Sequence, residues 1–491
     1  MAAFKTVKGK PTTIACDVLA VGVYKGGVAA PGATDVEKAL GSSFKSLLEG
    51  ARLKGEVGDA LAVPTLGTLK AKQVLLVGLG DKKGASSVAA RKAGAVVARK
   101  TGGAANVAST ITQAITGNAA GATAAFVEGY LLGAYRFDRY KANGQKTKTK
   151  TVSLVAAGGA NERAVKQAIT RATALAEGTA LARDVTNTPA GDFMPESFAA
   201  EARRIAKSTP LTVRVLGEKE LKAGRYGGIL GVGQGSDKPS RLVEIRYRPA
   251  GARKHVALVG KGVTFDSGGI NLKNDGLDWM KMDMGGGGAV LGAMLAIGKL
   301  KPKVAVTGLI CTAENMPGGA ALKPGDVITM KSGTTVEIGN TDAEGRLVMA
   351  DGITHAIQNK ADVVADIATL TGACMVALGE RAFGVMGNDQ GIVDDVIKAA
   401  DEAGERGWQL PLIPEYRKKL DSDVADMRNI GDRYGGAITA GLFLKEFAGD
   451  TPWVHIDIAG PARSTVEEFE TPKGATGVGV RTLVRWIENQ A

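Results

Sequence analysis

The residues with the clearest chemistry lie between positions 260 and 346, where charged side chains are set among glycines. Lys261 and Asp266 follow an apolar, strand-like run, with glycines at 260, 262, 268 and 269 around them. Lys273 follows closely, and Asp283 comes two residues before a run of four glycines. Small residues let a ligand approach the backbone closely, so charged groups in such surroundings favour a binding or catalytic site.

A second charged segment, residues 342–346, carries Asp342, Glu344 and Arg346 at alternate positions. Alternate side chains of an extended segment point to the same side. If the segment is extended, these three groups are therefore predicted to share one face.

Convergence of the acidic side chains would create severe repulsion, which divalent cations relieve. Carboxylates are hard oxygen ligands suited to Mn²⁺, Mg²⁺ and, with some nitrogen ligands, Zn²⁺. Four carboxylates can hold two ions about 3.5–4 Å apart, as in two-metal hydrolases, which include aminopeptidases. Any one acid alone is better interpreted as a helix cap, a loop charge or an ion-pair partner of Lys261, Lys273 or Arg346, but the complete set favours a dinuclear metal site. The acids concerned are Asp266, Asp283, Asp342 and Glu344.

Other catalytic and metal-binding patterns are missing from the sequence. Its three histidines, His255, His355 and His455, are 100 residues apart and lie outside the charged cluster, which excludes a His-rich zinc site. Ser267 lacks the Gly-x-Ser-x-Gly context of a serine hydrolase. The three cysteines are isolated from one another, which favours buried thiols in a reducing, cytoplasmic compartment.

Five motifs together closely resemble the leucyl (cytosol) aminopeptidase family, a family of dinuclear metallo-aminopeptidases. They are Gly-Lys-Gly-Val-Thr-Phe-Asp-Ser-Gly-Gly at 260–269, Lys273, Met-Asp-Met-Gly-Gly at 282–286, Glu-Asn-Met-Pro at 314–317 and Asn-Thr-Asp-Ala-Glu-Gly-Arg-Leu at 340–347. The octapeptide is the signature of that family and is intact. The resemblance is dense from about residue 187 to the C-terminus and weak before residue 160.

The resemblance implies two divalent metal ions per subunit, Mn²⁺ or Zn²⁺. Asp266 and Glu344 would bridge both ions. Asp283 would complete the site that holds Lys261, an unusual amine ligand. Asp342 would bind the second ion through its side chain and backbone carbonyl.

The resemblance also implies how peptides are cleaved. The free α-amine of the substrate would bind one metal ion, and a metal-bridging water would attack the first peptide carbonyl, releasing Leu, Met and similar residues. Lys273 would polarise that carbonyl and stabilise the oxyanion, and Arg346 would hold a bicarbonate ion that acts as general base.

Substrate binding by resemblance involves the metal ligands, Lys273 and a pocket for the first side chain. The pocket residues are Met280, Thr369, Gly372 and Ala462. Six further acids near the motifs match no ligand position and are interpreted as supporting or structural residues. They are Asp275, Asp278, Asp351, Asp362, Asp366 and Asp457.

The elements that must position these residues are predicted to belong to two α/β domains, since one core seldom serves 491 residues. A smaller N-terminal α/β domain is predicted at 1–162, a linker helix at 163–186 and a catalytic domain at 187–491. Alternating strands and helices in the catalytic domain predict a mainly parallel central sheet flanked by helices, with the site at strand carboxyl ends. A strand is predicted at 256–259, just before Lys261 and Asp266, and single helices at 36–51 and 347–359.

The net charge of +12 is concentrated in the first part of the chain. Residues 1–180 contain 25 Lys and Arg against 11 Asp and Glu, and the remainder contains 37 against 39. This excess leaves open an additional DNA-binding or regulatory role, known for some bacterial members of the family, although no Arg-rich helix with interleaved aromatics supports it. A solvated basic surface is favoured over DNA contact.

The remaining expectations concern partners and location. No secretory segment or apolar stretch of about 20 residues is found, so a cytoplasmic protein without a membrane segment is predicted. The resemblance implies a homo-hexamer of two stacked trimers that acts on peptides with a free N-terminus.

Overall fold

A computed structural model describes residues 2–144, 148–156 and 161–490. The chain forms two compact units. The first contains Met1–Ala176 and Val466–Lys473, and the second contains Glu177–Thr465 and Gly474–Ala491. A helix at Glu162–Asn187 runs from the first unit into the second. The domain boundaries expected from the sequence, 1–162, 163–186 and 187–491, stay predictions.

The first unit is a seven-stranded sheet covered by helices. In the order β1-β7-β6-β2-β5 all neighbouring strands are parallel, and β4 is antiparallel to β5. Every residue of β2 is buried, as expected for a strand with both faces covered. The strands are β1 Ala3–Val7, β2 Val18–Tyr24, β3 Val28–Ala29, β4 Ala60–Pro64, β5 Gln73–Gly78, β6 Asn106–Ser109 and β7 Thr151–Val155. The helices are α1 Thr34–Leu40, α2 Ser42–Gly50, α3 Ser87–Thr101, α4 Ala119–Gly133 and most of α5 Glu162–Asn187.

The single helix predicted at 36–51 is wrong, because two helices, α1 and α2, occupy this stretch. Gly41 separates them with φ of 57° and ψ of −137°, a conformation that a continuing helix does not allow. Glycine adopts positive φ without the steric cost that a side chain would impose, which explains the break.

The second unit is built on an eight-stranded sheet of order β16-β15-β18-β14-β10-β11-β9-β8. The four central strands β18, β14, β10 and β11 are parallel, while β15, β9 and β8 join antiparallel. The strands are β8 Thr212–Leu216, β9 Arg241–Tyr247, β10 His255–Asp266, β11 Ala305–Asn315, β12 Val327–Thr329, β13 Thr335–Glu337, β14 Val363–Ala368, β15 Phe383–Gly387, β16 Gly407–Gln409, β17 Met427–Arg428, β18 Trp453–Asp457, β19 Arg463–Ser464 and β20 Gly474–Ala475. The helices are α6 Pro195–Ala206, α7 Glu218–Ala223, α8 Gly227–Gly233, α9 Gly285–Leu300, α10 Gly345–Gln358, α11 Gly372–Leu378, α12 Gln390–Ala403, α13 Gly436–Ala448 and α14 Val480–Asn489.

The predicted fold class is confirmed, since both units are α/β and the larger one has a mainly parallel central sheet with helices against it. The strand predicted at 256–259 is too short, because β10 continues to Asp266. Lys261 and Asp266 therefore lie on the strand itself rather than after it. Pairing of β10 with β11 is maintained through Val263, beyond the run of large apolar residues on which the prediction rested.

Helix α9 packs directly against the central strands because its first turn consists of glycines. A side-chain carbon at Gly286 would overlap the backbone carbonyl of Ile367 on β14. The close approach brings Asp283, two residues before the helix, near the carboxyl ends of β10 and β14. In the parts of the chain that the structure describes, no helix is long and apolar enough to cross a membrane.

We expect Gly286→Ala to destabilise the second unit, because the added methyl group meets backbone that cannot turn away. The overlap should cost at least ~1–3 kcal/mol of unfolding free energy, despite the helix propensity gained with Ala. Urea unfolding followed by circular dichroism measures the change. Gly319→Ala is the control, because its methyl group would meet no atom within 4 Å; equal stability of the two variants would contradict the packing argument.

Candidate metal centre

Lys261 lies on β10 and is surrounded by acceptors that come from three other segments. Its Nζ donates to the carbonyl oxygen of Thr369 at 3.0 Å. The same atom is 2.8 Å from Asp283 Oδ2 and 2.7 Å from Glu344 Oε1. The side chain is almost completely buried, so all three contacts are shielded from solvent.

Asp266 ends β10, where a bulge shifts the register against β11. Its Oδ1 accepts hydrogen bonds from the Gly268 N–H at 2.9 Å and from Asn315 Nδ2 at 2.8 Å. Its Oδ2 is 2.8 Å from Lys273 Nζ, which is also 2.5 Å from Asp342 Oδ1. Lys273 therefore connects β10 to the signature loop, residues 338–344, which precedes α10 and contains the start of the signature octapeptide.

Asp283 is oriented by the loop that follows β14. Its Oδ1 accepts from Thr369 Oγ1 at 2.8 Å, so Thr369 binds both Asp283 and, through its carbonyl, Lys261. The loop itself is held by buried Asp457, which accepts from the Leu370 N–H at 3.1 Å and from Thr371 Oγ1 at 2.7 Å.

The signature segment is not extended, and the prediction of an alternating face at 342–346 is wrong. Asp342 lies in a turn, and its backbone N–H donates to Asn340 Oδ1 at 2.8 Å. Glu344 has helical angles, φ −78° and ψ −33°, and caps α10, which begins at Gly345. A side-chain carbon at Gly345 would lie 2.6 Å from Lys261 Nζ, so glycine allows the helix to start against the lysine.

The turn still brings the carboxylates together. Oxygen atoms of Asp266, Asp342 and Glu344 lie within 4.8 Å of one another. Asp283 joins Glu344 through Lys261, which contacts both. All four predicted acids thus belong to one cluster with Lys261 and Lys273.

The electrostatics of the cluster are those of excess negative charge. Burial raises the pKa of Glu344 above its usual range, and repulsion from Asp266 adds to the effect. Burial likewise raises the pKa of Asp283 well above its usual value, although Lys261 opposes the shift. Burial alone would lower the pKa of Lys261, but Asp283, Glu344 and Asp266 outweigh it and hold that pKa above the ordinary lysine value.

These features fit a cation site. Two ammonium groups are shared among four carboxylates, so the cluster carries two more acidic groups than basic ones in a largely buried place. Uncompensated buried charge is costly, and divalent cations held by carboxylate oxygens remove that cost. Lys261 is protonated in these ion pairs, so binding a metal through its Nζ would require loss of the proton.

Arg346 is the second residue of α10 and is buried. Its Nη1 donates to the carbonyl oxygen of Asn429 at 2.9 Å. Its Nε has no hydrogen-bond partner among the residues that the structure describes. Burial lowers the pKa of the guanidinium to about 10. A buried donor without an acceptor indicates space for a polar ligand.

The predicted pocket residues lie in separate segments. Side-chain atoms of Thr369 and Ala462 both fall within 3.7 Å of a carbon built on Gly285, so both residues lie near this glycine. Met280 is in a short 3₁₀ helix, Leu277–Met282, and is partly buried. Gly372 begins α11 and is exposed, facing open space. Among the described residues, the nearest neighbours of that carbon on Gly285 include Thr369 and Ala462 but neither Met280 nor Gly372.

The six remaining acids have different surroundings. Asp275 and Asp278 are exposed. Asp351 accepts from the backbone N–H groups of Ile229 and Lys331, both at 2.9 Å, and Asp362 accepts from the His255 N–H at 2.7 Å. Asp366 is buried against His455 Nδ1 at 2.5 Å and Trp453 Nε1 at 2.6 Å.

Two residues that orient the cluster, Asn315 and Asn429, are not predicted from the sequence. Asn315 belongs to the motif at 314–317, but the motif alone does not indicate its function. Asn429 lies outside every motif, and its sequence context carries no signal. Asp457, interpreted from the sequence as a supporting or structural acid, holds the loop that orients Asp283.

Fold and site together define a metal-dependent hydrolase, with its acids at the carboxyl ends of a parallel sheet. Comparison with protein families matches the cytosol aminopeptidase catalytic domain over residues 180–484 and the N-terminal domain of the same family over residues 20–144. The chain belongs to the cytosol aminopeptidase family and is a metal-dependent aminopeptidase, as the motifs predicted.

Individual relatives agree with this assignment. A probable cytosol aminopeptidase of Streptomyces avermitilis is 46% identical, covering 96% of this chain and 95% of the relative. One from Geobacter sp. is 43% identical over 93% of this chain and 94% of its own.

Solved structures agree as well. A mutant of tomato leucine aminopeptidase has TM-score 0.90 and 30% identity, covering 100% of this chain and 97% of its own. The bottromycin maturation enzyme BotP in complex with Mn has TM-score 0.87 and 36% identity, covering 97% and 100%.

We expect Mn²⁺ to raise the melting temperature, because ions that bind only the folded cluster remove its repulsion. A ligand at 100 times its Kd stabilises by about 2.7 kcal/mol. Differential scanning fluorimetry after exhaustive chelation, with and without Mn²⁺, measures the shift. Glu344→Gln should reduce it strongly, whereas exposed Asp278→Asn should keep it. A wild-type melting temperature that does not respond to Mn²⁺ or Zn²⁺ would contradict a metal site.

Proposed function

We propose that the protein releases N-terminal residues such as Leu and Met from peptides, using two divalent ions, Mn²⁺ or Zn²⁺, and a bicarbonate ion as general base. The observation that carries the proposal is the buried cluster of four carboxylates with only two lysines. Its residues match the family pattern one by one in sequence, and they converge in space.

The ligands would be Lys261, Asp266, Asp283, Asp342 and Glu344. Asp266 and Glu344 would serve both ions, as the family pattern implies. Glu344 shares Lys261 with Asp283, and Asp266 shares Lys273 with Asp342. Oxygen atoms of Asp266, Asp342 and Glu344 lie within 4.8 Å of one another, which supports this assignment. When bound, the ions supply the positive charge that acidifies water and polarises a carbonyl.

Lys273 suits a role in stabilising the oxyanion. It is the more exposed lysine, 19% against 3% for the side chain of Lys261. Burial would lower its pKa, but the acids around it, Asp266 first, hold the pKa above the ordinary lysine value. A fixed ammonium at the edge of the cluster can stabilise negative charge that develops on the carbonyl oxygen.

Arg346 suits a site for bicarbonate. Its Nε is a buried donor without a described acceptor, and a guanidinium matches a planar oxyanion in shape and charge. Arg346 would hold the anion where it accepts a proton from the attacking water. No side chain with a base of its own is needed for that step.

The pocket for the first side chain would be lined by Met280, Thr369, Gly372 and Ala462. Thr369 and Ala462 are both small and both lie near Gly285. Flexible, apolar Met280 would adapt to unbranched and branched aliphatic groups. This composition favours Leu and Met over charged residues.

Quaternary structure, location and DNA contact are further parts of the proposal. A homo-hexamer in the cytoplasm, with domains at 1–162 and 187–491 joined by a helix at 163–186, follows the family pattern. DNA contact through the basic first 180 residues stays secondary to peptide cleavage, because a charge excess of this size equally serves a solvated surface.

We expect metal-dependent cleavage of peptides with a free N-terminal amine, and none of the same peptides after N-acetylation. A free amine can bind a metal ion when it is neutral and can pair with the acidic cluster when it is protonated. An acetamide nitrogen does neither. Liquid chromatography of Leu- and Met-initiated peptides measures release, with chelated enzyme as control. Full activity after prolonged chelation, or equal cleavage of acetylated peptides, would show that the proposal is wrong.

We expect Lys273→Ala and Arg346→Ala to keep two metal ions per subunit while kcat falls by about 10²–10³, the typical loss of one preorganised group. Their effect on KM should be smaller, because both groups act in the transition state. Added bicarbonate should stimulate depleted wild-type enzyme but have little effect on Arg346→Ala. Metal analysis beside the kinetics tests the division of roles, and either variant coming out metal-free would place its side chain among the ligands.

A further inference from the structure

Asn429 is the residue outside the motifs that contacts the signature loop most extensively. It follows β17, which pairs in parallel with β13, and its N–H donates to the Glu337 carbonyl oxygen at 3.0 Å. Glu337 ends β13, so this pairing carries Asn429 to the start of the loop at 338–344. The residue is completely buried.

The side-chain amide of Asn429 spans the loop from one end to the other. Its Oδ1 accepts from the N–H groups of Gly339 at 2.8 Å and Asn340 at 3.3 Å. Its Nδ2 donates to the carbonyl oxygens of Asn340 at 2.7 Å and Ala343 at 3.3 Å. Two donors on one side and two acceptors on the other determine the orientation of the amide.

The backbone of the same residue reaches the helix beyond the loop. The Asn429 carbonyl oxygen accepts from Arg346 Nη1 at 2.9 Å. One residue thus binds backbone groups of the loop before Asp342, the Ala343 carbonyl directly before Glu344, and the guanidinium of Arg346.

We propose that Asn429 is a positioning residue that sets Asp342, Glu344 and Arg346 relative to one another. The inference rests on the proposed roles of those three residues as metal ligands and bicarbonate site. Asn429 is neither a proposed ligand of the ions nor a proposed contact of the substrate. It acts by stabilising the turn at 340–344, which holds Asp342 and Glu344 in place. Without its amide, four backbone groups of the loop lose a hydrogen bond at once, although the Asn340 carbonyl keeps the one from the Ala343 N–H.

Asn388 provides a matched control within the same unit. Its Oδ1 accepts from the Trp453 N–H at 2.8 Å, and its Nδ2 donates to the carbonyl oxygens of Gly449 at 3.1 Å and Thr451 at 2.9 Å. Asn388 lies at the amino end of β18, whereas the acidic cluster is at the carboxyl ends of the parallel strands. It joins backbone segments as Asn429 does, but away from the site.

The experiment compares Asn429→Ser and Asn429→Asp with Asn388→Ser and Asn388→Asp in the full-length protein. Asp keeps the shape and the acceptor but replaces Nδ2 by an oxygen that faces two carbonyls. For both Asn429 variants we expect kcat/KM to fall roughly 10–100-fold, since small displacements of reacting groups have such effects. The loss should lie in kcat, and the bicarbonate concentration for half-maximal stimulation should rise about tenfold.

Mn²⁺ titration by calorimetry supplies a readout besides activity. The Asn429 variants should bind Mn²⁺ more weakly than wild type, and the Asn388 variants should match wild type in Mn²⁺ affinity, bicarbonate response and kcat even where their melting temperature falls. Unchanged kinetics and Mn²⁺ affinity in the Asn429 variants would overturn the inference. So would failure of both Asn429 variants to fold while the Asn388 variants fold, because Asn429 would then support the whole unit rather than the site.

The outcome also separates this inference from the proposed function. A wild-type enzyme that neither binds Mn²⁺ nor responds to bicarbonate would refute the proposed roles themselves, whatever the variants do. A wild-type enzyme that does both, beside Asn429 variants that behave identically, would refute only the positioning role.

Discussion

Two lysine ammonium groups held among four carboxylates, three of them buried, are the interaction on which the rest of the catalytic unit depends. Charges taken out of water are tolerated only when oppositely charged groups are close and the remaining polar atoms are bonded. Lys261 and Lys273 meet part of that requirement. Backbone and amide donors to Asp266 and the Thr369 hydroxyl donor to Asp283 meet more of it. The excess of negative charge that remains is what two divalent cations would neutralise.

Bringing six charged side chains together requires unusually close backbone packing, and glycine provides it. Helix α9 lies against β14 because Gly286 has no side chain, and α10 starts beside Lys261 because Gly345 has none. Each helix start carries an acid of the cluster: Asp283 precedes α9, and Glu344 caps α10. The glycines around the charged residues therefore serve helix–strand packing as much as access for a ligand.

Much of this was predictable because motif residues are close in sequence to the elements that carry them. Charged residues beside an apolar strand indicated the ends of parallel strands, and β10 and its neighbours confirm that arrangement. The alternating charges of 342–346 suggested an extended segment, but this segment is a turn that enters a helix at Gly345. Charged residues at every second position are compatible with either conformation. The contacts of Asn429, and those of Asp457 with Leu370 and Thr371, could not be foreseen, because they join segments about 90 residues apart. Such partners cannot be predicted from the residues next to them in the sequence.

The central claim is that the carboxylate cluster holds two divalent ions, and anomalous diffraction tests it most directly. Crystals grown with Mn²⁺ or Zn²⁺ and measured on either side of the metal absorption edge would reveal each ion. The account predicts two anomalous peaks per subunit, one beside Lys261 and Asp283 and one beside Asp342, with Asp266 and Glu344 between them. A single peak, or peaks away from these five residues with the cluster still paired to its lysines, would contradict it.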